Sequence, residues 1–278
     1  MTSTLSLTTF DAVSAALNDL YLVPPPPPTT IGCGALAMLR GSMARFSSAE
    51  SHRLRRLAVV AAIDAIDLAE ARDVAFECTP RVCAGGRVDL VDEIAFAVPS
   101  ATMLKLLSIA GDHGALIADI GAIAAVIGRG AESTPDGEMA SERVLAACSA
   151  DSSGTVPVVS ILYQNCDATA ALVIESLLAR HRHTVRAAAV TRTTRVATAD
   201  VTIDDVTIPA GATVALDLAS SGLEFGAGPH ECPGRSLAEA IVNGIIGALD
   251  AARFKIIELS PAIGVNGRPE SIVMGTMS

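Results

Sequence analysis

A glycine-rich stretch late in the chain has the residue types of a metal-binding loop. It reads Phe225-Gly226-Ala227-Gly228-Pro229-His230-Glu231-Cys232-Pro233-Gly234-Arg235. Glycines at 226, 228 and 234 allow positive φ and let the backbone approach a flat ligand closely. Cys232 comes a few residues before a predicted helix, whose N-terminal dipole favours a thiolate over a thiol. A thiolate in an amide-rich loop is a ligand for a soft or borderline metal ion, although an ordinary glycine turn with a buried cysteine is the simpler alternative.

Three predicted elements position this loop. A helix from about Ser236 to Ala252 follows it directly. Upstream, Thr194 to Leu218 alternates β-branched residues around turn residues, which indicates a small antiparallel sheet. Before that, Val156 to Arg180 is apolar with few polar insertions, and its length predicts one buried helix.

The first half of the chain is predicted to be helical with one extended linker. Residues 9–18 read as a short capped helix, and the prolines from Pro24 to Pro28 force an extended segment. A second helix is expected to start after Ser47-Ser48 and to run toward Ala71.

The middle of the chain continues in the same way. Asp89 and the acids after it suggest a helix start. The apolar stretch 101–130 has a break at Gly111 and His113, and residues 130–154 are expected to be a surface connection. The predicted fold class is therefore mainly α with a small β-sheet, in a single domain spanning residues 1–278.

Composition excludes several classes of function. The 278 residues are half hydrophobic and carry a net charge of −10, which argues against a nucleic-acid binder because phosphate contacts need clustered cations. No run of about 18 or more uncharged apolar residues appears, so a membrane span is not expected, and the N-terminus lacks the basic region of a signal peptide. The six cysteines are scattered without a Cys-x-x-Cys pair, so we expect a reducing cytoplasm and no disulfide framework.

The glycine-rich loop resembles the haem-binding signature of the cytochrome P450 family, Phe-Gly-x-Gly-x-His-x-Cys-x-Gly, at all six fixed positions. The resemblance implies a shortened P450-like fold that binds haem b. It makes Cys232 the proximal ligand of the haem iron and gives His230 a contact with a haem propionate. The remaining fixed positions would line the cofactor: Phe225, Gly226, Gly228 and Gly234.

The predicted long helix resembles the family's central helix on the distal side of the haem. The family pattern is Ala-Gly-x-Asp/Glu-Thr-Thr/Ser, and this chain has Asn165 in place of the glycine. Asp167 matches the acid that serves in proton delivery. Ala168 stands where the first threonine is usual, and Thr169 takes the next position. The alternative is a polar interruption in a buried helix.

Candidate propionate partners come from two further segments that are similar to the family. Arg195 matches an arginine of its β segment, and a guanidinium can bind a carboxylate bidentately. The family also has His-x-x-x-Arg on a helix below the propionates, and His52 with Arg56 has that spacing. Alignment on Arg-Leu-Arg-Arg would instead place Ser51 and Arg55 there. The alternative for all of these cations is a solvated surface position.

The chain departs from the family in length and in one network. It is much shorter than usual, and its only Glu-x-x-Arg, Glu50 to Arg53, is in the wrong place. Between Arg180 and Arg195 there is room for little more than a turn or a short helix. The family's meander, which forms part of its redox-partner face, is cut to residues 219–224. The resemblance therefore implies that a chain without that network binds haem weakly, exposes one haem edge or depends on a partner subunit.

The resemblance implies a haem-thiolate oxidoreductase, a monooxygenase or peroxygenase that acts on a small apolar substrate. Its electrons would come from a ferredoxin and reductase pair, or its oxygen from peroxide. The alternative is a haem-binding protein without oxygenase activity, namely a carrier, a sensor or a non-oxidative haem catalyst. Substrate, oligomeric state and electron source do not follow from the sequence.

Overall fold

Helices account for most of the fold. The computed structural model describes residues 5–26, 34–82, 86–128, 133–149, 154–260 and 271–276, and the side chains of residues 80–82 are not described. The helices within these ranges are α1 Phe10–Asn18, α2 Ala35–Ser42, α3 Ala49–Asp64, α4 Leu68–Val82, α5 Ala97–Leu106, α6 His113–Ile127, α7 Pro135–Cys148, α8 Thr155–Arg182, α9 Leu218–Ser221 and α10 Arg235–Ala251.

The strands form three small sheets. The strands are β1 Leu5–Leu7, β2 Leu22–Val23, β3 Arg87–Asp89, β4 Arg192–Ala197, β5 Val201–Ile203, β6 Val206–Ile208, β7 Thr213–Asp217, β8 Phe254–Leu259 and β9 Ile272–Thr276. One sheet has the order β1-β7-β4-β2, the second β3-β9-β8, and the third is the β5-β6 hairpin. All pairs are antiparallel except β1 with β7. The predicted class, mainly α with a small β-sheet, is confirmed.

Side-chain caps set several helix starts at the predicted places. The Thr9 hydroxyl accepts a hydrogen bond from the Ala12 N–H, so the helix predicted over 9–18 is confirmed as α1. Asp89 caps a π-helical turn, Leu90–Phe96, that leads into α5. The break predicted near Gly111 is also confirmed, since Asp112 caps α6.

Two predictions about the helices are wrong. The helix expected to run from residue 48 to 71 is two helices, because the chain breaks after Asp64 and the Asp67 carboxylate accepts a hydrogen bond from the Glu70 N–H. The surface connection expected over 130–154 contains α7, which begins after a Thr134 cap with Pro135 in its first turn. The prolines 27 and 28 of the predicted linker lie outside the described residues.

The long helix α8 is the centre of the larger hydrophobic core. It was predicted from Val156 to Arg180 and is confirmed over Thr155–Arg182. It has the length and apolar composition of a membrane span, but 72% of that apolar window is buried inside the protein, so α8 reads as a core helix. A second, smaller core lies between α1 and the strands β1, β2 and β4 to β7.

Candidate functional site

The glycine-rich loop lies between α9 and α10 and closes on itself. The Cys232 N–H donates to the Phe225 carbonyl at 2.8 Å, and the Gly226 N–H donates to the Leu223 carbonyl at 2.7 Å. Gly226 has φ of +72° and Gly228 has φ of +66°, as predicted for glycines that shape a tight loop. Gly234 does not have positive φ, contrary to the prediction. It is the residue directly before α10.

The loop also packs closely against α1. A side-chain carbon at Gly228 would overlap the Asn18 carboxamide and would lie 3.2 Å from the Leu17 carbonyl oxygen. Glycine at 228 is therefore required twice, by the backbone angle and by the space. On the other side, the Phe225 ring packs against the main core, and the Arg235 guanidinium lies over it at 4.8 Å.

Cys232 differs from the other described cysteines in its exposure. Its side chain is exposed, whereas the other three described cysteines, Cys78, Cys148 and Cys166, are buried. Burial nevertheless raises the pKa of the Cys232 thiol, and Glu231 adds to that rise.

The N-terminus of α10 lowers the pKa of the Cys232 thiol, as predicted, but burial raises this pKa by more. The Gly234 N–H hydrogen-bonds the sulfur and lowers the pKa of the thiol, as do the charges of Arg45 and Arg56. The expectation that the helix N-terminus alone favours the thiolate is wrong, because burial outweighs these effects. A bound metal ion would displace the proton, since only the thiolate coordinates.

His230 faces His52 across the site. The ring centroids are 3.9 Å apart, and His52 is buried on α3. Burial lowers the pKa of His230 to about 3, with further contributions from His52, Arg195, Arg56 and Arg45. Both rings are therefore held neutral among cations.

The two pairs of α3 residues proposed as propionate partners have different surroundings. His52 contacts His230, and the charge of Arg56 acts on His52, His230 and Cys232. Arg55 instead donates to the Gly41 carbonyl and the Ser47 hydroxyl, and Ser51 is exposed. The geometry favours the His52 and Arg56 register.

Arg195 is a buried cation on β4. Its side chain is only 6% exposed, and its Nη1 donates to Thr193 Oγ1 at 3.2 Å and the Thr194 carbonyl at 2.9 Å. Burial, followed by the charge of Arg45, lowers the pKa of Arg195 to about 10. Among the described residues no carboxylate lies within salt-bridge distance of it.

Arg45 belongs to the same cluster and was missed by the sequence analysis. It lies in the 3₁₀ turn Ala44–Phe46, and its charge acts on Arg195, His230 and Cys232. Its charge also acts on Tyr163 of α8, so Arg45 lies between the cysteine loop and the long helix. No residue spacing marks it in the sequence.

Together these residues form a basic cluster around the loop, defined as Arg45, His52, Arg56, Arg195 and His230. In the described part of the chain, none of the five has a carboxylate as a hydrogen-bond or ion-pair partner. Of the five, only His52 and Arg195 are buried, and Arg195 is the one that carries a charge. Burying a cation without counter-charge is costly, and the cost falls when an anion binds beside it. The arrangement is therefore suited to a ligand that carries more than one negative charge.

The residues predicted as a proton relay, Asp167, Ala168 and Thr169, lie on α8. The Thr169 hydroxyl donates to Asn165 Oδ1 at 2.8 Å and is buried, so its proton is already engaged one turn away. The Nδ2 atom of Asn165 is buried and has no partner among the described residues. Asp167 and Ala168 are half-buried, and the charge of Asp167 acts on Tyr163.

No protein-family model matches the sequence, and no curated protein matches it. Solved structures do match. P450BioI in complex with hexadec-9Z-enoic acid ligated acyl carrier protein superposes with a TM-score of 0.80 at 16% identity, covering 98% of this chain and 92% of that one. CalO2 gives 0.80 at 19% identity over 98% and 90%, and a thermophilic cytochrome P450 from Sulfolobus tokodaii gives 0.72 at 17% over 99% and 95%. The chain has a cytochrome P450 fold.

The residues around the loop of this P450 fold fit a haem group. Cys232 is exposed just before α10, Gly226 and Gly228 have positive φ in its loop, and within the described residues the basic cluster has no carboxylate partner. Haem has a flat face for the loop, an iron for the thiolate and two propionates for the cations. Cys232 would hold the iron, and Arg195, His230, His52, Arg56 and the newly found Arg45 would hold the propionates.

The Glu-x-x-Arg network usual in the P450 family is absent from the described site. Glu50 and Arg53 do form an ion pair on α3, but both side chains are more than 60% exposed, so this pair is a surface feature. Between α8 and β4 the described chain has no helix, where the spacing left room for a turn or a short helix. The shortened meander holds only α9 and a turn before the loop.

Proposed function

We propose that the chain is a haem-thiolate oxidoreductase in a single domain, a monooxygenase or peroxygenase acting on a small apolar substrate. The observation that carries the proposal is the exposed Cys232 beside a basic cluster that has no acid of its own. The P450 fold and the six-position match of the loop support the same reading. We place the protein in the cytoplasm, with haem b as its cofactor.

Each residue has a role that its surroundings allow. Cys232 would supply a thiolate ligand for the haem iron, and the Gly234 N–H at the start of α10 hydrogen-bonds its sulfur. Arg195 and Arg56 hold the propionates, and His52 and His230 line the same edge. When bound, a thiolate-ligated haem supplies oxygen-activating chemistry, because the thiolate donates electron density to the iron.

Proton supply would fall to the long helix. Asp167 is half-buried on α8 and could hold a proton there. Ala168 has no hydroxyl, and Thr169 shares its proton with Asn165, so the relay is shorter than in the family pattern. A short relay is less of a handicap with peroxide, which brings both oxygen atoms and its own protons, than with a ferredoxin and reductase pair.

The second candidate is a haem protein without oxygenase activity, such as a carrier, a sensor or a non-oxidative catalyst. Ala168 and the internally bonded Thr169 favour it, because a pocket can bind haem without delivering protons. The two candidates share the cofactor and differ in the reaction.

Two measurements on the haem-loaded chain separate the readings. The carbon monoxide complex of the reduced protein should show the red-shifted Soret band of thiolate ligation. Apolar test substrates are then incubated with hydrogen peroxide or with a ferredoxin, reductase and NADPH. Oxygenated product by either route supports the enzyme. The thiolate band without product by either route supports the second candidate, and absence of that band rejects both haem-thiolate readings.

A further inference from the structure

Glu224 is a partly buried carboxylate directly before the cysteine loop, and it accepts hydrogen bonds from three N–H groups. Glu224 Oε2 accepts hydrogen bonds from Arg186 Nη1 at 2.9 Å and from the Ala189 backbone N–H at 2.8 Å. Glu224 Oε1 accepts from Arg186 Nη2. The Glu224 side chain is 16% exposed and that of Arg186 is 30% exposed. The bidentate, shielded geometry makes this pair stronger than an ordinary surface ion pair.

The two partners come from segments with different roles. Glu224 is adjacent to Phe225, whose carbonyl accepts the Cys232 N–H and so closes the loop. Arg186 and Ala189 lie in the segment between α8 and β4. The pair therefore ties the base of the cysteine loop to the connection between the long helix and the strand that carries Arg195.

Neighbouring groups reinforce the same contact. The charge of Arg235 acts on Glu224, and its guanidinium lies over the Phe225 ring. Burial alone would raise the pKa of Glu224, but the Arg186 and Ala189 hydrogen bonds lower it overall. Glu224 is thus an ionised anchor with partners on both sides of the loop base.

We propose that Arg186 and Glu224 are positioning residues for Cys232, and that this pair holds the loop in place of the missing Glu-x-x-Arg network. The inference rests on the proposed function in one respect, namely that Cys232 is a metal ligand. The pair touches neither the sulfur nor the ligand site. It acts through the loop backbone, from Glu224 to Phe225 and across the closing hydrogen bond to Cys232.

A general stabilising role is the rival explanation, and the chain offers a matched control. Arg143 also binds Asp119 bidentately, the Asp119 side chain is 10% exposed, and the pair joins α6 to α7. Glu224→Gln and Asp119→Asn each remove one charge from a shielded bidentate pair while keeping the shape of the side chain. Arg186→Lys is a milder change, which keeps the charge and loses the fork geometry.

The first readout is hydrogen exchange of the Cys232 amide in the full chain without haem. In Glu224→Gln and Arg186→Lys this amide should exchange faster relative to the global unfolding rate. In Glu224→Gln we expect the exchange rate to rise roughly tenfold, because that is the effect of losing one charged hydrogen bond. In Asp119→Asn it should change only as much as global stability does. Equal behaviour of Glu224→Gln and Asp119→Asn would overturn the proposal.

The second readout is the reduced carbon monoxide complex of the haem-loaded chain. Glu224→Gln and Arg186→Lys should convert faster from the thiolate band to the band of a protonated or displaced thiol, whereas Asp119→Asn should match the unmodified chain. Equal conversion in all four proteins would overturn the positioning role. If the unmodified chain shows no thiolate band, the proposed function fails, and the exchange measurement still decides whether the pair holds the loop.

Discussion

At the scale of single residues, the cations of the site are arranged for a partner that the chain does not provide. Arg195 is buried, donates to two uncharged oxygen atoms and has no carboxylate partner among the described residues. Arg45 and Arg56 add positive charge near His230. Such a cluster costs stability in the absence of an anion. This cost is the physical reason to expect that binding of a dianionic ligand and folding are coupled in this protein.

Replacing Arg195 should weaken haem binding without lowering the stability of the haem-free chain. In Arg195→Ala the propionates lose a charged partner, so we expect haem affinity to fall by about 1–3 kcal/mol, or roughly five- to 150-fold. The haem-free chain should unfold at the same temperature or higher, because an unpaired buried charge has gone. Haem titration and thermal unfolding measure the two effects.

Arg192→Ala is the control for this substitution. Arg192 lies on the same strand, three residues away, and is exposed, so its loss should leave haem affinity unchanged. If Arg195→Ala kept full haem affinity and lowered the unfolding temperature of the haem-free chain, Arg195 would be a structural residue and not a propionate partner.

Much of the site could be predicted residue by residue, and the limits have physical causes. The loop places Cys232 and His230 by local spacing, which sequence displays directly. The choice between His52 with Arg56 and Ser51 with Arg55 could not be made, because both pairs are four apart on one helix. Arg45 could not be found, because its position depends on how the 3₁₀ turn packs against α8 and the loop.

At the scale of elements, the helix after the cysteine loop is held by close packing against α4. A side-chain carbon at Gly244 of α10 would overlap the Arg72 carbonyl oxygen and would lie 2.9 Å from Ala75 Cβ. The two backbones can approach to this distance only because residue 244 has no side chain. The position of α10 in turn fixes Gly234 and the end of the cysteine loop.

Enlarging this contact should destabilise the fold. Gly244→Ala forces the helices apart, and we expect it to lower the free energy of unfolding by about 1–3 kcal/mol. Gly247→Ala is the control, since a methyl group there would meet only Phe76 ring carbons, the nearest at 3.6 Å. Urea unfolding of both variants measures the difference. Equal stability of the two variants would show that α10 and α4 adjust freely.

The helices were predictable where local caps and long apolar runs define them. α1, α8 and α10 follow from such signals. α7 was missed because its sequence is polar and acidic, and its buried face is made of small residues such as Ala140 and Ser141. The sheet of β3, β8 and β9 was missed because β3 is far from β8 and β9 in sequence, and only tertiary pairing brings it beside β9.

At the scale of the whole molecule, the chain keeps the P450 core with shortened connections. Superposition on solved P450 structures covers nearly all residues of this chain. The Glu-x-x-Arg helix and most of the meander are nevertheless absent between α8 and the loop. The main core around α8 is built from aliphatic side chains. The overall fold could be predicted through the loop motif, whereas the Arg186 and Glu224 pair that bridges the gap could not, because 38 residues separate its partners.

The central claim is that Cys232 ligates haem iron through its thiolate. The direct measurement is the spectrum of the reduced carbon monoxide complex for the unmodified chain, Cys232→Ser and Cys166→Ser, with folding checked by circular dichroism. Cys166 is a buried cysteine on α8, so Cys166→Ser controls for loss of a thiol elsewhere. We predict the red-shifted thiolate band in the unmodified chain and in Cys166→Ser, and its loss in Cys232→Ser. A thiolate band that persists in folded Cys232→Ser would contradict the account.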